Sequence, residues 1–270
     1  MKRSQFGVIG AGNMGTAIVQ GAVKAGMCAP EDILLYNRSA EKRAAKAALG
    51  FSVTDDYAAL YASCKIVILA VKPQNFPEVL GALRSVVNAK PLVVSIAAGV
   101  TFAKMETTLG EDCPIIRVMP NTPLMIGKGA SVLVRNKAAT AEQLSTVRAL
   151  FDSMGVTAVY ENENMLNEVI PYNGSAPAYV YSFIDAMVKS AQSHGLTAED
   201  ATRLFCYSCI GAAEMVLQNK DQTPAELTRA VCSPGGTTIE AIHVLEQREF
   251  ADILAEASDK CIDRAYELGS

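Results

Sequence analysis

The first half of the chain alternates between short apolar runs and segments with helical spacing. The apolar runs are rich in β-branched residues and predict strands at 5–10, 32–37, 51–55, 65–71, 91–98, 114–120 and 130–136. Helical segments lie between them, such as 14–25 and 76–87. Strands that are apolar throughout and alternate with helices are typical of a parallel sheet covered on both faces. The pattern therefore predicts an α/β fold with a doubly wound, mostly parallel sheet.

The pattern changes after Thr140, where long helical periods begin and only 155–161 still resembles a strand. Thr140-x-x-Gln143 and Thr223-Pro224-Ala225-Glu226 both match the capping box that starts helices, and Pro224 suits the first helical position. We therefore predict a boundary near residue 162, with an α/β domain at 1–162 and an all-helical domain at 163–270.

Composition and charge exclude several classes of protein. The chain has 270 residues, ordinary charged content and a formal net charge of −4, without a basic block, which argues against a nucleic-acid partner. No apolar run reaches the roughly 18 residues that span a bilayer. Seven cysteines are scattered along the chain, and no signal peptide precedes the first strand, which predicts free thiols in a reducing cytoplasm. Cys206-x-x-Cys209 lies in an apolar helical run without a second pair, so we expect no metal.

The stretch Gly10-Ala11-Gly12-Asn13-Met14-Gly15 follows an apolar strand and opens a helix. In this order the first glycine permits a tight turn, the second lets the backbone approach a pyrophosphate, and the third allows close helix packing. The helix N-terminus stabilises phosphate charge, which also places Asn13 and Met14 at the cofactor. We therefore predict a Rossmann-type domain that binds a dinucleotide; a glycine turn without a ligand is the alternative.

The second predicted strand bears on the choice of cofactor. It ends in Asn37-Arg38-Ser39 and lacks the acidic residue that usually binds the ribose hydroxyls of NAD. Arg38 can pair with a 2′-phosphate, which favours NADP(H), with NAD(H) as the alternative. In the other reading, Arg38 is only a solvated charge. Ligands lie at the carboxyl ends of the strands in this fold, so the further candidate contacts are Ala70, Val71, Lys72, Pro73, Ala97 and Asn121.

A break separates two helical segments at Cys232-Ser233-Pro234-Gly235-Gly236. The glycines let backbone N–H groups face a ligand, and Thr237-x-x-Glu240 predicts a capping box with a helix starting at Thr237. Such a helix N-terminus is a small anion site that suits a carboxylate. A plain corner between helices, without a ligand, is equally consistent with the local sequence.

The segment 224–246, with its central Val231-Cys232-Ser233-Pro234-Gly235-Gly236-Thr237-Thr238, resembles the signature segment of pyrroline-5-carboxylate reductases. Three further stretches carry the same resemblance besides the glycine turn: Ala70-Val71-Lys72-Pro73-Gln74, Arg117-Val118-Met119-Pro120-Asn121-Thr122-Pro123 and Gly174-Ser175-Ala176-Pro177-Ala178-Tyr179. Together they cover essentially the whole chain. The resemblance implies an N-terminal Rossmann domain, an all-α dimerisation domain, and NAD(P)H-dependent reduction of 1-pyrroline-5-carboxylate to L-proline.

The resemblance also implies roles for individual residues. Thr238 would contact the ring nitrogen as the catalytic polar group, and the substrate contacts would be Glu163, Ser175, Val231, Ser233, Gly235, Gly236, Thr237 and Thr238. Family members form dimers through their helical domains and often assemble further into decamers. Hydride addition to a protonated imine needs orientation more than a strong acid, which agrees with the lack of a His, Lys or Cys at the motifs.

The sequence departs from the family pattern at Ile170-Pro171-Tyr172-Asn173, which replaces small residues and puts one wall of the substrate pocket in doubt. Tyr57 stands where many relatives carry a polar residue. The alternative enzyme class is the β-hydroxyacid dehydrogenase group, but the helix after Gly174 carries no lysine before Lys189. Other imine reductases remain as alternatives. So does a non-catalytic NADP-binding sensor, which would not need an intact substrate loop.

Overall fold

Eight strands form one sheet in the computed structural model, which describes residues 4–269. The strands are β1 (Ser4–Ile9), β2 (Ile33–Tyr36), β3 (Ser52–Thr54), β4 (Cys64–Leu69), β5 (Leu92–Ser95), β6 (Ile115–Met119), β7 (Gly129–Arg135) and β8 (Gly155–Val159). Their order is β3-β2-β1-β4-β5-β6-β7-β8, and every pair is parallel except β6 with β7. The order reverses between β1 and β4, so the carboxyl ends of these strands form the switch point where ligands bind in open α/β sheets. The predicted fold class is confirmed.

Twelve α-helices accompany the sheet within residues 4–269. They are α1 (Asn13–Lys24), α2 (Ala40–Ala47), α3 (Tyr57–Ser63), α4 (Phe76–Leu83), α5 (Phe102–Leu109), α6 (Ala141–Asp152), α7 (Met165–Glu168), α8 (Ala176–Ser193), α9 (Ala198–Gln218), α10 (Pro224–Val231), α11 (Thr237–Gln247) and α12 (Phe250–Gly269). The helix predicted at 76–87 is shorter, because a 3₁₀ helix takes over at Arg84–Ala89 and Lys90 ends it with a φ of 42°.

Both faces of the central strands are buried, which explains why these strands are almost entirely apolar. Along β1, Val8 faces one core together with Ile68 and Val94. The next residue, Ile9, faces the other core together with Val67 and Val93. Successive side chains of a strand point to opposite faces, so a sheet covered on both sides needs an apolar residue at each position.

The predicted capping boxes have different outcomes. The boxes at Thr140 and Thr223 are confirmed, with Thr140 Oγ1 accepting from Gln143 N at 3.1 Å and Thr223 Oγ1 accepting from Glu226 N at 3.2 Å. The box at Thr237 is wrong, although α11 does begin there. The N-cap is Gly236, one residue earlier, so Thr237 is already helical and its hydroxyl does not cap the helix.

The described residues fall into two compact units: 4–177 with 261–269, and 178–260. The domain boundary expected at residue 162 stays a prediction. The second unit consists of helices and buries little within one chain, since Ala201 is the only buried residue among 178–260. No helix within 4–269 is both long and apolar enough to cross a membrane.

Candidate active site

The glycine turn after β1 joins the ends of three strands. Gly10 N and Ala11 N both donate to Tyr36 O at the end of β2, at 3.2 and 3.0 Å. Gly10 has a φ of +97°, and a Cβ there would lie 2.8 Å from the carbonyl carbon of Ala70, which follows β4. Only glycine fits this position, because a side chain would strain the turn and collide with the backbone.

The other two glycines of the turn have different surroundings. A Cβ at Gly15 would lie 2.9 Å from Gly10 O, so α1 packs directly on the turn, whereas at Gly12 the nearest such atom is 3.9 Å away. No side chain caps α1, which leaves the first N–H groups of the helix, including those of Asn13 and Met14, free of a side-chain acceptor. The turn therefore has an open backbone edge next to a helix N-terminus, which suits a pyrophosphate.

A cavity of about 290 Å³ opens beside this turn. It is lined by Gly10, Gly12, Tyr36, Asn37, Arg38, Lys42, Tyr57, Ala70, Val71, Lys72, Asn75, Glu78 and Val79. The cavity therefore brings together predicted cofactor residues from the ends of β1, β2 and β4. It lies at the topological switch point, where the residues fit the adenosine half of a dinucleotide.

The loop after β2 is held by its own side chains. Asn37 Nδ2 donates to Ala11 O at 3.3 Å, while its Oδ1 accepts from Ser39 N at 3.1 Å. Ser39 caps α2, and Arg43 Nη1 donates to Asn37 O at 2.7 Å and Arg38 O at 3.1 Å. Asn37 and Ser39 therefore shape the loop, and the side chain of Arg38 is left exposed at the cavity.

Six residues of the cavity were not predicted from the sequence: Tyr36, Lys42, Tyr57, Asn75, Glu78 and Val79. Lys42 lies one helical turn beyond Arg38, and neither side chain has an ion-pair partner among residues 4–269. The i, i+4 spacing of the two cations was the signal that could have found it. Tyr57, noted only as a departure, packs edge-on against Tyr36 with ring centroids 4.8 Å apart. Burial, followed by the nearby Glu78 carboxylate, raises the pKa of Tyr57, and Glu78 lines the same cavity.

The remaining candidate cofactor residues lie at strand ends, but one is engaged elsewhere. Ala97 is buried just beyond β5, and Pro73 lies after β4 beside a second cavity. Asn121 is buried, and its Nδ2 donates to Asn173 O at 3.1 Å while its Oδ1 accepts from Ala130 N at 2.9 Å. These contacts correspond to a structural role for Asn121. In turn, Asn173 Nδ2 donates a hydrogen bond to Met119 O at 2.8 Å. The segment 170–173, which departs from the family pattern, is therefore hydrogen-bonded to the end of β6.

Glu163 and Ser175, the two predicted substrate residues of the first unit, both have protein partners. Glu163 Oε1 accepts from Phe102 N at 2.6 Å and from Arg117 Nη1 at 2.7 Å. Ser175 Oγ lies 3.3 Å from the thiol sulfur of Cys261. Neither contact was foreseen from the sequence, because the partners are far away along the chain.

The predicted substrate loop lies in the second unit, between α10 and α11. Gly235 has a φ of +66°, and Gly236 N donates to Ser233 O at 3.0 Å, which closes a tight turn. A Cβ at Gly236 would collide with the Ser233 hydroxyl. Because no side chain caps α11, its first N–H groups remain available beside the half-buried Thr238. Exposed N–H groups at a helix start can bind a carboxylate. Val231, the last residue of α10, is exposed next to this loop.

Among residues 4–269, no group of three His, Cys, Asp or Glu side chains is placed to hold a metal ion. Burial raises the pKa of Cys209, and Cys206 raises it further. The thiols of this Cys-x-x-Cys pair are both half-buried on α9. All seven cysteines are free thiols.

Comparisons with known proteins give a consistent result. The profile described as "Pyrroline-5-carboxylate reductase dimerisation" matches residues 163–268, and the profile "NADP oxidoreductase coenzyme F420-dependent" matches residues 5–99. A pyrroline-5-carboxylate reductase from Escherichia coli (strain K12) is 38% identical over 98% of this chain and 98% of that protein.

Solved structures agree with the sequence relatives. A pyrroline-5-carboxylate reductase from Coxiella burnetii has a TM-score of 0.91 at 32% identity, covering 100% of both chains. The Plasmodium falciparum pyrroline carboxylate reductase with NADP bound has a TM-score of 0.90 at 27% identity, also over 100% of both chains. The resemblance inferred from the motifs is thereby confirmed, and this chain belongs to the pyrroline-5-carboxylate reductase family of oxidoreductases.

Proposed function

We propose that this chain transfers a hydride from NADPH to the C=N carbon of 1-pyrroline-5-carboxylate and so forms L-proline. The observation that carries the proposal is the pair of open helix starts, one at the glycine turn before α1 and one at the loop before α11. The first suits the pyrophosphate of a dinucleotide, and the second suits the carboxylate of a small imino acid. Both occur in a chain whose relatives are named for this reaction over nearly their full length.

The substrate loop supplies binding and orientation. The N–H groups at the start of α11, with the Ser233 hydroxyl, would hold the carboxylate, and the Thr238 hydroxyl would bond the ring nitrogen. When bound, NADPH supplies the hydride. Holding the ring in one orientation removes much of the entropic cost of bringing two reactants together. The substrate nitrogen carries its own proton, so the loop needs no strong acid.

NADPH is our proposed cofactor, with NADH used less well. Arg38 and Lys42 place two positive charges beside the cavity at the glycine turn. A 2′-phosphate would pair with both, whereas the ribose hydroxyl of NADH would meet no acidic partner on this loop. The related structure from Plasmodium falciparum has NADP bound, which supports the same choice.

We also propose that the chain works as a homodimer formed through its helical part. Large apolar side chains of the unit 178–260 are exposed within one chain, among them Phe183 at 47%, Tyr207 at 73% and Leu217 at 75%. An exposed apolar surface of this extent marks an association surface, and the matching profile is one for dimerisation. Assembly into decamers stays a prediction from the resemblance. Sedimentation analysis tests the dimer; a monomer at every concentration would contradict it.

Two further expectations accompany the activity. A cytoplasmic location is supported by the seven free thiols, because an oxidising compartment favours disulfides. The substrate contact that the resemblance implies for Glu163 and Ser175 stays a prediction, and the contacts of Glu163 with Arg117 and Phe102 favour a positioning role for that residue instead.

The proposed function is tested by following NADPH oxidation with 1-pyrroline-5-carboxylate. Turnover is expected for the wild-type chain, and its absence would contradict the proposal. Oxidation of a 3-hydroxyacid with reduction of NADP⁺ instead would favour the hydroxyacid dehydrogenase alternative. Thr238→Ala should lose about 100-fold or more in kcat while keeping the circular dichroism of the wild type, because it removes a polar group at the reacting nitrogen. Thr238→Ser, which keeps the hydroxyl, is the matched control and should retain most activity.

A further inference from the structure

An ion pair between a buried arginine and a half-buried glutamate connects three segments that are distant along the chain. Arg117 lies in the middle of β6 with a side chain only 4% exposed, and its Nη1 is 2.7 Å from Glu163 Oε1. The same oxygen accepts the N–H of Phe102, the first residue of α5, at 2.6 Å. One carboxylate oxygen therefore ties β6 to the start of α5.

The ion pair of Arg117 and Glu163 is by itself a weak source of folding stability. Burial lowers the pKa of the Arg117 guanidinium, and the Glu163 carboxylate opposes that shift. Arg117 Nε is buried and has no hydrogen-bond partner in the described part of the chain. An apolar side chain in place of Arg117 would avoid the cost of burying a guanidinium whose Nε lacks a partner, so packing alone does not account for an arginine in the middle of β6.

The loop that the pair holds is 96–101, which connects β5 to α5. Its beginning contains Ala97, the predicted cofactor contact, whose N–H lies 3.5 Å from Ser95 Oγ. In its middle, Gly99 has a φ of +73°, and a Cβ there would lie 2.8 Å from Leu268 O. At its end, the backbone of Phe102 is fixed by Glu163. The loop is thus tied at both ends and packed in the middle against the end of α12.

The loop lies at the carboxyl end of β5, on the edge of the sheet where a Rossmann-type domain holds its ligand. Ser95 and Arg117 are direct neighbours in the register of β5 and β6. Arg117 therefore belongs to the strand next to the 96–101 loop, on the face of the sheet that α5 covers. Loss of the ion pair would therefore displace the backbone around Ala97, because the 96–101 loop connects Ala97 to Phe102.

We propose that Arg117 and Glu163 act together as positioning residues for hydride transfer, by fixing the 96–101 loop beside the reacting half of the cofactor. The inference rests on the proposed function. It assigns to Glu163 an action through Arg117 and Phe102 in place of direct contact with the substrate. A displacement of the loop by about an ångström would lower the rate strongly while leaving most binding energy intact.

The test is a double-mutant cycle with Arg117→Met, Glu163→Gln and the two combined. Each single substitution should lower kcat about tenfold or more, with KM for 1-pyrroline-5-carboxylate and Kd for NADPH changed by less than about threefold. The double variant should be no worse than the worse single one, because the two residues act as a unit. Glu161→Gln, an exposed acid two residues before Glu163, is the matched control and should keep wild-type kinetics.

A second variant and a second measurement separate the positioning role from a loss of folding. If Arg117→Met fails to fold, Arg117→Lys, which keeps the charge, replaces it in the cycle, and its kcat should also lie below that of the wild type. Hydrogen exchange of the amides in 96–102 should be faster in both single variants, and this holds whether or not the enzyme turns over 1-pyrroline-5-carboxylate.

Other results would overturn the inference. A raised KM for the substrate in Glu163→Gln, with normal kinetics in the Arg117 variants, would mean direct contact between Glu163 and the substrate. Effects that multiply in the double variant, or unchanged exchange in 96–102, would equally contradict it. A wild-type chain that fails to reduce 1-pyrroline-5-carboxylate, but shows the expected exchange pattern, would contradict the proposed function and leave the coupling to the loop intact.

Discussion

Removal of Arg38 and Lys42, two of the three cations that line the adenosine cavity with Lys72, should change the cofactor preference of the enzyme. Arg38 and Lys42 line the same cavity and have no ion-pair partner among residues 4–269. Arg43 and Asn37 hold the loop backbone independently of both side chains. The double substitution Arg38→Ala and Lys42→Ala should therefore remove charge without changing the loop.

The size of the effect follows from the charge of the phosphate. A phosphate monoester carries about −1.5 to −2 charges at neutral pH. Two unit charges 4 Å apart interact by about 1 kcal/mol in bulk water, and salt screens exposed groups further. Each cation should then contribute about 1–2 kcal/mol to NADPH binding, which corresponds to about 5- to 30-fold in affinity. The double variant should lose about 30-fold or more for NADPH and almost nothing for NADH.

The assay is the ratio of kcat/KM for NADPH to that for NADH, measured at two salt concentrations. The wild-type preference for NADPH should weaken at high salt, and the preference of the double variant should be small and nearly independent of salt. Lys46→Ala is the control, since this residue also lies on α2 but does not line the cavity. An unchanged cofactor ratio in the double variant would refute the assignment of Arg38 and Lys42 to the 2′-phosphate.

Three further predictions concern backbone, core and pH. Gly10→Ala should abolish NADPH binding measured by calorimetry, because its Cβ would lie 2.8 Å from the Ala70 carbonyl carbon at a φ of +97°; wild-type affinity would contradict this. Tyr61→Phe should cost about 1 kcal/mol or less in urea unfolding, since the buried hydroxyl contacts only the Cys113 thiol, at 3.6 Å, among described residues; a loss above about 3 kcal/mol would show a missed partner. Hydrogen bonds from the backbone and side chain of its N-cap residue lower the pKa of Glu226. The contribution of the Glu226 carboxylate to stability is complete above the ordinary glutamate pKa of about 4.3. It is lost as the pH falls through the lower pKa of the folded state. The difference in Tm between wild type and Glu226→Gln should therefore shrink below about pH 4, and a constant difference would disprove the effect.

Local features of the sequence were sufficient to predict the sheet and the glycine turn. A strand buried on both faces must be apolar at each position, and the turn at Gly10 needs a positive φ, so both leave direct traces in the residue pattern. The helix start at Thr237 was also predicted from local residue types. Its cap was assigned to the wrong residue, because Gly236 and Thr237 are both acceptable caps by residue type.

Features that depend on distant partners could not be predicted. Nothing local shows that Asn121 bonds to Asn173, or that Glu163 is occupied by Arg117. The antiparallel direction of β7 is equally hidden, since an apolar run is the same in either orientation. These contacts decide whether a polar residue faces a ligand or the protein, which is why site residues are harder to assign than strands.

The weak core of residues 178–260 has a genetic consequence. If this part of the chain becomes stable only when a second copy covers it, two alleles expressed in one cell will share their subunits. A folded variant with a damaged substrate loop would then enter mixed dimers and lower the output of the normal allele. A variant whose helical part cannot pair would be degraded alone and behave as a simple loss of function. Under that condition, co-expression with the wild-type chain separates the two kinds of variant, because only a variant that still pairs lowers the wild-type activity.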